Sequence, residues 1–231
     1  MNLLGALQWA DTAFPSGRYT LSHGLEGLLA AGVVEKRDAV GLARVAEDML
    51  RYAFAPVDLV AHFHAWEATE IAQLTNIDGL VHACRPTFAQ RRGSTRVGRQ
   101  MLLMASNLSL SDDLLDHYRA AVSSQRPEFH HAHGHSCVVM SLIHRQLGLS
   151  AEEAAQVESY GFIAALTSAA VRLQLLDYIE AQQVNQHLSG FVAEVIAGAR
   201  AMPLSDIGAC TPLLDIAAAR HETAPARLFI T

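Results

Sequence analysis

Helical periodicity is the feature of this sequence that most constrains its fold. Between residues 37 and 53, apolar side chains recur every three or four positions and charged side chains fill the positions between them. This spacing indicates an amphipathic α-helix. No stretch alternates convincingly between apolar and polar residues, as a half-buried strand would. The sequence therefore predicts an all-α fold, a single-domain bundle of about ten helices over residues 1–231 with an irregular C-terminal tail.

Turn and capping residues predict where the helices begin and end. Pro56 should end the first helix, because proline disfavours helical geometry in the residue before it. Ser150 and Glu153 form a capping-box pattern, the clearest boundary in the chain. Ser111 is a candidate N-cap, and Gly148 a candidate helix stop. The further predicted helices span residues 57–75, 86–106, 112–122, 127–147, 150–178, 182–201 and 211–221.

Composition supports a well-packed helical protein. Hydrophobic residues make up 51% of the chain and charged residues 17%, which predicts a large buried or interface area. The helix predicted over 150–178 is apolar nearly all round, as central helices are. Arg172 is a lone charge within it and should need a buried carboxylate or a partner.

Charge and cysteine usage argue against several classes of protein. The formal net charge is −6, which does not favour general nucleic-acid binding. The start of the chain, Met1-Asn2-Leu3-Leu4, lacks the basic region of a signal peptide. The longest uncharged apolar stretch, 159–171, is shorter than the ~20 residues that span a bilayer. Three scattered cysteines predict no disulfide framework. We expect a soluble, cytoplasmic protein that binds neither membranes nor nucleic acids.

Histidines are concentrated in one segment, at His130, His131, His133 and His135. On a helix, His131 and His135 would be close enough to share a metal ion, and His133 and Cys137 have the same spacing. Surface or interface imidazoles without a metal are the simpler interpretation. An alternative function is an all-α enzyme in which Cys137 is the nucleophile and the 130–135 cluster supplies the base. Nothing in the sequence orients such a base.

Arginines dominate a second segment, which has no acidic residue between Asp78 and Asp112. Its arginines are Arg85, Arg91, Arg92, Arg96 and Arg99. Phosphate or nucleic-acid binding is one interpretation, but docking of an acidic protein surface, or simple solvation, is favoured. Lys36 is the only lysine and has no phosphate-binding glycine loop around it. No hydrolase, zinc-protease or dinucleotide motif is present, so the sequence predicts no enzyme activity.

Four segments, in order along the chain, resemble the UreF family of urease accessory proteins. They are residues 7–17 continuing to Ser22, Gly24, Leu25 and Glu26; Arg92, Ser94, Arg96, Gly98, Arg99, Leu102 and Leu103; residues 169–173; and residues 212–216 with His221, Glu222, Arg227, Leu228 and Phe229. Together they cover essentially the whole chain. The resemblance implies an all-helical, non-catalytic scaffold that forms a homodimer and binds UreH, also called UreD. Through that complex it would recruit the GTPase UreG and apo-urease, so that the complex handles nickel and no cofactor stays bound to this chain.

The resemblance also implies a set of partner-binding residues. They are Phe14, Pro15, Gly17, Tyr19, Ser22, Gly24, Glu26, Arg99, Arg172, His221, Glu222, Arg227, Leu228 and Phe229. The tail, 222–231, is expected to become ordered on UreH, and Tyr19 and Arg227 to recruit UreG. Two departures stand out: Arg18, where many members have a second glycine, and the histidine-rich run 128–135. The second suggests a supplementary nickel contact through His131, His133 and His135.

Overall fold

The computed structural model describes residues 3–124 and 126–230, and both ranges are helical with no strand. The helices are α1 (Leu3–Ala10), α2 (Leu25–Ala30), α3 (Ala39–Met49), α4 (Val60–Glu67), α5 (Ile71–Ala83), α6 (Phe88–Asn107), α7 (Asp113–Ser123), α8 (Ser136–Gln146), α9 (Ala151–Arg172), α10 (Tyr178–Ser189), α11 (Val192–Ala201) and α12 (Pro212–Glu222). Short 3₁₀ turns lie at Arg18–Thr20, Pro127–Phe129 and Leu204–Asp206. The predicted all-α class is confirmed.

Local capping explains the boundaries that the sequence predicted well. The Ser150 side chain accepts a hydrogen bond from the Glu153 amide at 3.2 Å, and the Glu153 carboxylate accepts one from the Ser150 amide at 2.8 Å. This reciprocal pair satisfies two amides that a helix start leaves free. The predicted capping box is confirmed. Gly148 has a φ of 72° after α8, as expected for a helix stop.

The chain remains helical through Pro56, so the predicted helix end there is wrong. A π-helical segment, Leu50–Leu59, joins α3 to α4 without a break. Its wider turns shift the hydrogen-bond pattern away from the i−4 carbonyl with which a proline ring normally clashes. The break occurs instead at Ala68, which is extended, and a Glu70–Gln73 capping box then starts α5. The helix predicted over 57–75 is therefore two helices.

Three other predicted helices also have different limits. The central helix ends at Arg172 rather than near residue 178, and a new capping box at Asp177 starts α10. The helix predicted over 182–201 is divided by a turn at Gly190, between α10 and α11. Asp112, rather than Ser111, caps α7 by accepting a hydrogen bond from the Leu115 amide at 2.7 Å.

Helices α8 and α9 form the centre of the bundle. Helix α8 packs against α4 and α6, and α9 packs against α1, α8, α10 and α11. The core has two apolar clusters, and Trp66 and Ile207 pack against both. Fully buried side chains such as Met140, Ile143 and Leu166 each contribute about 1.5–3 kcal/mol of transfer free energy. The resulting scaffold fixes the loops on its surface.

The two ends of the chain meet where α2 packs against α12. A β-carbon at Gly27 would lie 2.6 Å from the carbonyl oxygen of Ala217. Such a distance is too short for any side chain, so glycine allows the two helix backbones to touch. This contact places the opening loop, residues 11–24, beside the C-terminal tail, residues 223–230.

Candidate functional site

Glu26 on α2 is the anchor of the C-terminal tail. Its carboxylate accepts hydrogen bonds from the backbone amides of Leu228, at 2.8 Å, and Phe229, at 2.9 Å. The Nε2 atom of His221 also lies 2.9 Å from this carboxylate. A carboxylate acceptor makes such bonds about twice as strong as neutral ones. One side chain therefore connects α2, the end of α12 and the tail.

Arg172 holds the same tail from the other side. Its guanidinium lies 3.8 Å from the ring centroid of Tyr19 and 4.3 Å from that of Phe229. No described carboxylate forms an ion pair with it. The sequence predicts a buried carboxylate or another partner for a mid-helix Arg172; it is the last residue of α9, and its partners are two aromatic faces. We call Tyr19, Glu26, Arg172, His221, Leu228 and Phe229 the tail clasp.

The tail clasp has a buried inner side and an exposed outer side. Phe229 is 3% exposed, whereas Tyr19 is 60% and Leu228 is 63% exposed. Arg227 is exposed beside them. The amide of Ile230 donates to the Thr20 carbonyl at 3.0 Å, while Thr231 lies outside the described residues. The tail thus has a defined position on its own chain, whereas the resemblance had led us to expect order only on docking.

The other predicted residues of the opening loop shape this surface without joining the tail clasp. Phe14 packs on Trp9 of α1, with 4.6 Å between ring centroids, and Pro15 is exposed. Gly17 and Gly24 have φ angles of 81° and 88°. Ser22 is buried, and its hydroxyl accepts from the Glu26 amide at 3.4 Å.

Two predicted partner-binding residues lie apart from the tail clasp. Glu222 accepts a hydrogen bond from the Ala89 amide at 2.5 Å, which ties the end of α12 to the start of α6. Arg99 is exposed on α6, and its Nε donates to the His133 carbonyl at 3.2 Å. Their partner-binding roles stay predictions.

Arg18 is a residue that the sequence did not single out as functional. Its Nη2 forms a 2.7 Å ion pair with Glu158 of α9, and both side chains are largely buried. A second such pair joins Arg85 to Asp58 at 2.7 Å. Both pairs line a cavity of about 140 Å³ between α6, α9 and the π-helical segment. A cavity of this size has room for several water molecules.

The cavity wall carries buried polar atoms with no hydrogen-bond partner among the described residues: His62 Nδ1, Arg85 Nε and Glu158 Oε1. Burial lowers the pKa of His62 to about 4. The Nε2 atom of His62 contacts the Ala151 carbonyl at 3.1 Å, so it carries the proton and leaves a lone pair on Nδ1. This wall chemistry favours a hydrated interior. The sequence does not show this cavity, because the residues that line it are far apart along the chain.

The histidine segment is a loop and not the helix that the sequence predicted. Asp78 of α5 accepts hydrogen bonds from the backbone amides of His133, Gly134 and His135, at 2.5, 2.7 and 2.9 Å. Gly134 has a φ of 81°, and α8 begins only at Ser136. The helical spacing assumed for His131 with His135, and for His133 with Cys137, is therefore wrong. We call residues 130–135 the histidine loop.

Cys137 lacks the properties of an activated nucleophile. It is 4% exposed in α8, and burial raises the pKa of its thiol well above the ordinary value. A protonated, enclosed thiol is a poor nucleophile. The geometry gives no support to the enzyme alternative through Cys137 and the 130–135 cluster.

Most arginines of the basic segment are already engaged within the chain. Arg85 pairs with Asp58, and Arg91 donates to the Arg85 carbonyl at 2.6 Å. Arg96 contacts the Gly17 carbonyl and the Thr20 hydroxyl. Among the described residues, Arg85 alone of these three has a carboxylate partner, so docking of an acidic protein surface on this segment stays a prediction. Within residues 3–124 and 126–230, no helix combines the length and apolarity that crossing a bilayer requires.

Comparisons with known proteins agree with this architecture. The UreF family profile matches residues 36–189. The urease accessory protein UreF of Cereibacter sphaeroides is 28% identical over 229 residues, covering 99% of this chain and 98% of the relative. The protein of the same name from Trichodesmium erythraeum is 28% identical, with 98% and 95% covered. That from Bacillus sp. (strain TB-90) is 26% identical, with 99% of both chains covered.

These alignments run through the opening loop and the tail, and the family profile covers the central helices between them. The chain belongs to the UreF family of urease accessory proteins.

Proposed function

We propose that this chain is a scaffold of urease maturation, which binds UreH (UreD), and through that complex recruits the GTPase UreG and apo-urease. Nickel is handled by the assembled complex while UreG hydrolyses GTP, and this chain keeps no cofactor. The protein acts as a homodimer in the cytoplasm. Family membership over nearly the whole chain supports the role.

The tail clasp is the observation that carries this proposal. The exposed outer side of the tail clasp carries the Tyr19 ring and the Leu228 side chain, and Arg227, the residue before Leu228, is exposed as well. Aromatic and arginine side chains supply most interface hot spots, where truncation costs ~2 kcal/mol or more. Because Glu26 and Arg172 hold this face in one conformation, a partner would lose little entropy in ordering it.

The test is co-purification with UreH and UreG from the same genome. The full chain should form the complex, and a chain truncated after Arg220 should not. Because truncation removes the buried Phe229 ring, a point variant is needed as well. Leu228→Asp places a charge on the exposed face without altering a buried side chain, and it should weaken recovery of the partners.

Ile179→Asp is the matched control, because Ile179 is 52% exposed on α10, which packs against α3 and α9. This variant should retain the complex. Equal recovery with Leu228→Asp and with the full chain would refute the assigned surface. Failure of the unaltered chain to bind either partner would refute the scaffold role.

A further inference from the structure

Three imidazoles from separate parts of the sequence meet between α5 and the histidine loop. The Nδ1 atom of His82 lies 3.1 Å from the Nε2 atom of His135, 53 residues away. The ring of His133 stacks on that of His82, with 3.7 Å between centroids and 15° between planes. The sequence did not suggest His82 as part of this cluster.

The main chain fixes these rings in place. Asp78 lies one helical turn before His82 on α5, and it binds the amides of residues 133–135. Arg99 of α6 donates to the His133 carbonyl from the other side. His135 is fully buried, while His82 and His133 are half-buried. The fold therefore positions the nitrogen pair.

The surroundings of all three rings disfavour their charged forms. Burial is the main cause that lowers the pKa of each, and nearby positive side chains lower it further: Arg91 and Arg85 for His82, Arg99 for His133, and Arg85 and Arg99 for His135. A neutral imidazole has one nitrogen with a free lone pair, which is the form that binds metals.

The nitrogen pair has the separation expected of two ligands on one metal ion. With metal–nitrogen bonds of roughly 2.0–2.1 Å, nitrogens 3.1 Å apart subtend an angle of about 100° at the metal. That angle lies between the octahedral and the tetrahedral values. We propose that His82 and His135 bind a late first-row divalent cation, nickel or zinc, through Nδ1 and Nε2.

Binding exchanges one interaction for another without a net loss of protons. In the free protein, one of the two nitrogens donates its proton to the other. In the metal complex, each ring carries its proton on its other nitrogen, and both lone pairs face the cation. For His135 that nitrogen is Nδ1, which is buried without a hydrogen-bond partner among the described residues, so no second-shell acceptor strengthens the site. Imidazole suits nickel, zinc and copper better than it suits magnesium or calcium.

The site would hold its metal weakly. Among the described residues, no three His, Cys, Asp or Glu side chains are grouped so that they could hold a metal ion together. Two protein ligands, with arginines nearby, favour rapid exchange over storage. This goes beyond the scaffold role, which requires no metal contact by this chain, and the isolated chain can be tested without any partner.

The experiment is equilibrium dialysis of the isolated chain against nickel, and separately zinc, at pH 7.5. We expect one ion per chain, and binding weakened about tenfold or more in His82→Gln. His117→Gln, which changes an exposed imidazole of α7, should bind as the unaltered chain does. The unfolding midpoint of each variant checks that the fold is intact.

Three results would overturn the site: no binding to the unaltered chain, equal binding by His82→Gln, or binding that depends on the exposed His130 and His131 instead. X-ray absorption of the nickel-loaded unaltered chain provides a test that needs no variant. Two or three imidazole nitrogens at the metal support the proposal, and one or none refutes it. Partner co-purification by His82→Gln should be unchanged, which separates this inference from the scaffold role.

Discussion

The C-terminal tail and the histidine loop are both irregular segments whose backbone amides bind one carboxylate, but the two carboxylates lie at different depths in the molecule. Asp78 is completely buried and binds three consecutive backbone amides of the histidine loop. Glu26 retains 16% of its side-chain exposure and binds two amides of the tail together with His221. Water or a partner can replace the second set of contacts more readily than the first, in which two of the three hydrogen bonds are buried. The same chemistry therefore secures the core in one place and a releasable surface in the other.

The largest expected effect is that of Asp78→Ala. Three backbone amides, two of them in buried hydrogen bonds, would lose their acceptor, so we expect a loss of about 3 kcal/mol or more in unfolding free energy. Urea denaturation measures it. Asp78→Asn, which retains one acceptor oxygen, should lose less. If Asp78→Ala lowered the unfolding free energy less than Glu26→Ala does, the assigned difference in burial between the two carboxylates would be wrong.

Mild acid should also destabilise the folded protein, because two of its histidines are buried. His62 and His144 are buried, and burial lowers their pKa values from 6.5 to about 4 and about 3. Below pH 6.5 these two histidines bind protons in the unfolded chain but not in the folded chain. The contribution of the neutral histidines to the free energy of unfolding is thus complete above pH 6.5, and it declines as the pH falls toward their pKa values in the folded state.

Between pH 7.5 and pH 6.0 we expect a loss of about 1 kcal/mol for each of the two histidines. Urea denaturation at both pH values measures it. The exposed His117→Gln control should leave this pH dependence unchanged. An unfolding free energy that is the same at pH 6.0 as at pH 7.5 would contradict the interpretation that both rings are buried and neutral.

Glu26→Ala should release the tail without unfolding the bundle. We expect a local cost of about 1–2 kcal/mol, since the freed amides can bind water. Amide exchange of Leu228 and Phe229 should accelerate while exchange in α8 stays slow. Glu35→Ala, at an exposed glutamate, is the control. If Glu26→Ala lowered the free energy of global unfolding as much as Asp78→Ala does, the distinction between the two segments would be wrong.

Arg172→Met should have the smallest effect. It retains an apolar stem but removes the cation between Tyr19 and Phe229, a loss of about 0.5–1 kcal/mol. Tail amide exchange again measures it, and Arg172→Lys should preserve more protection. Identical exchange in all three chains would show that the ring contacts do not hold the tail.

The sequence predicted those features that depend on neighbouring residues. The Ser150–Glu153 capping box, the stop at Gly148 and the helix that begins at Pro212 after Thr211 all depend on residues within one turn of one another. The all-α class follows from a periodicity repeated along the chain.

The errors have a common physical cause in contacts between distant residues. The helix expected from Pro127 fails because Asp78, more than fifty residues away, binds the amides that would have continued it. The sequence did not identify the aromatic partners of Arg172, because the two rings come from opposite ends of the chain. His82 was overlooked for the same reason, although its position one turn after Asp78 is visible in the sequence.

The contact between Gly27 and Ala217 has a consequence for biosynthesis. The first helices leave the ribosome well before α12 exists, and about 190 residues must follow before the contact can form. At roughly 5–20 residues per second, this delay lasts roughly 10 to 40 seconds. During that time the buried faces of Leu25 and Leu28 lack their final neighbours. The nascent chain should therefore depend on chaperones until its last turn is translated.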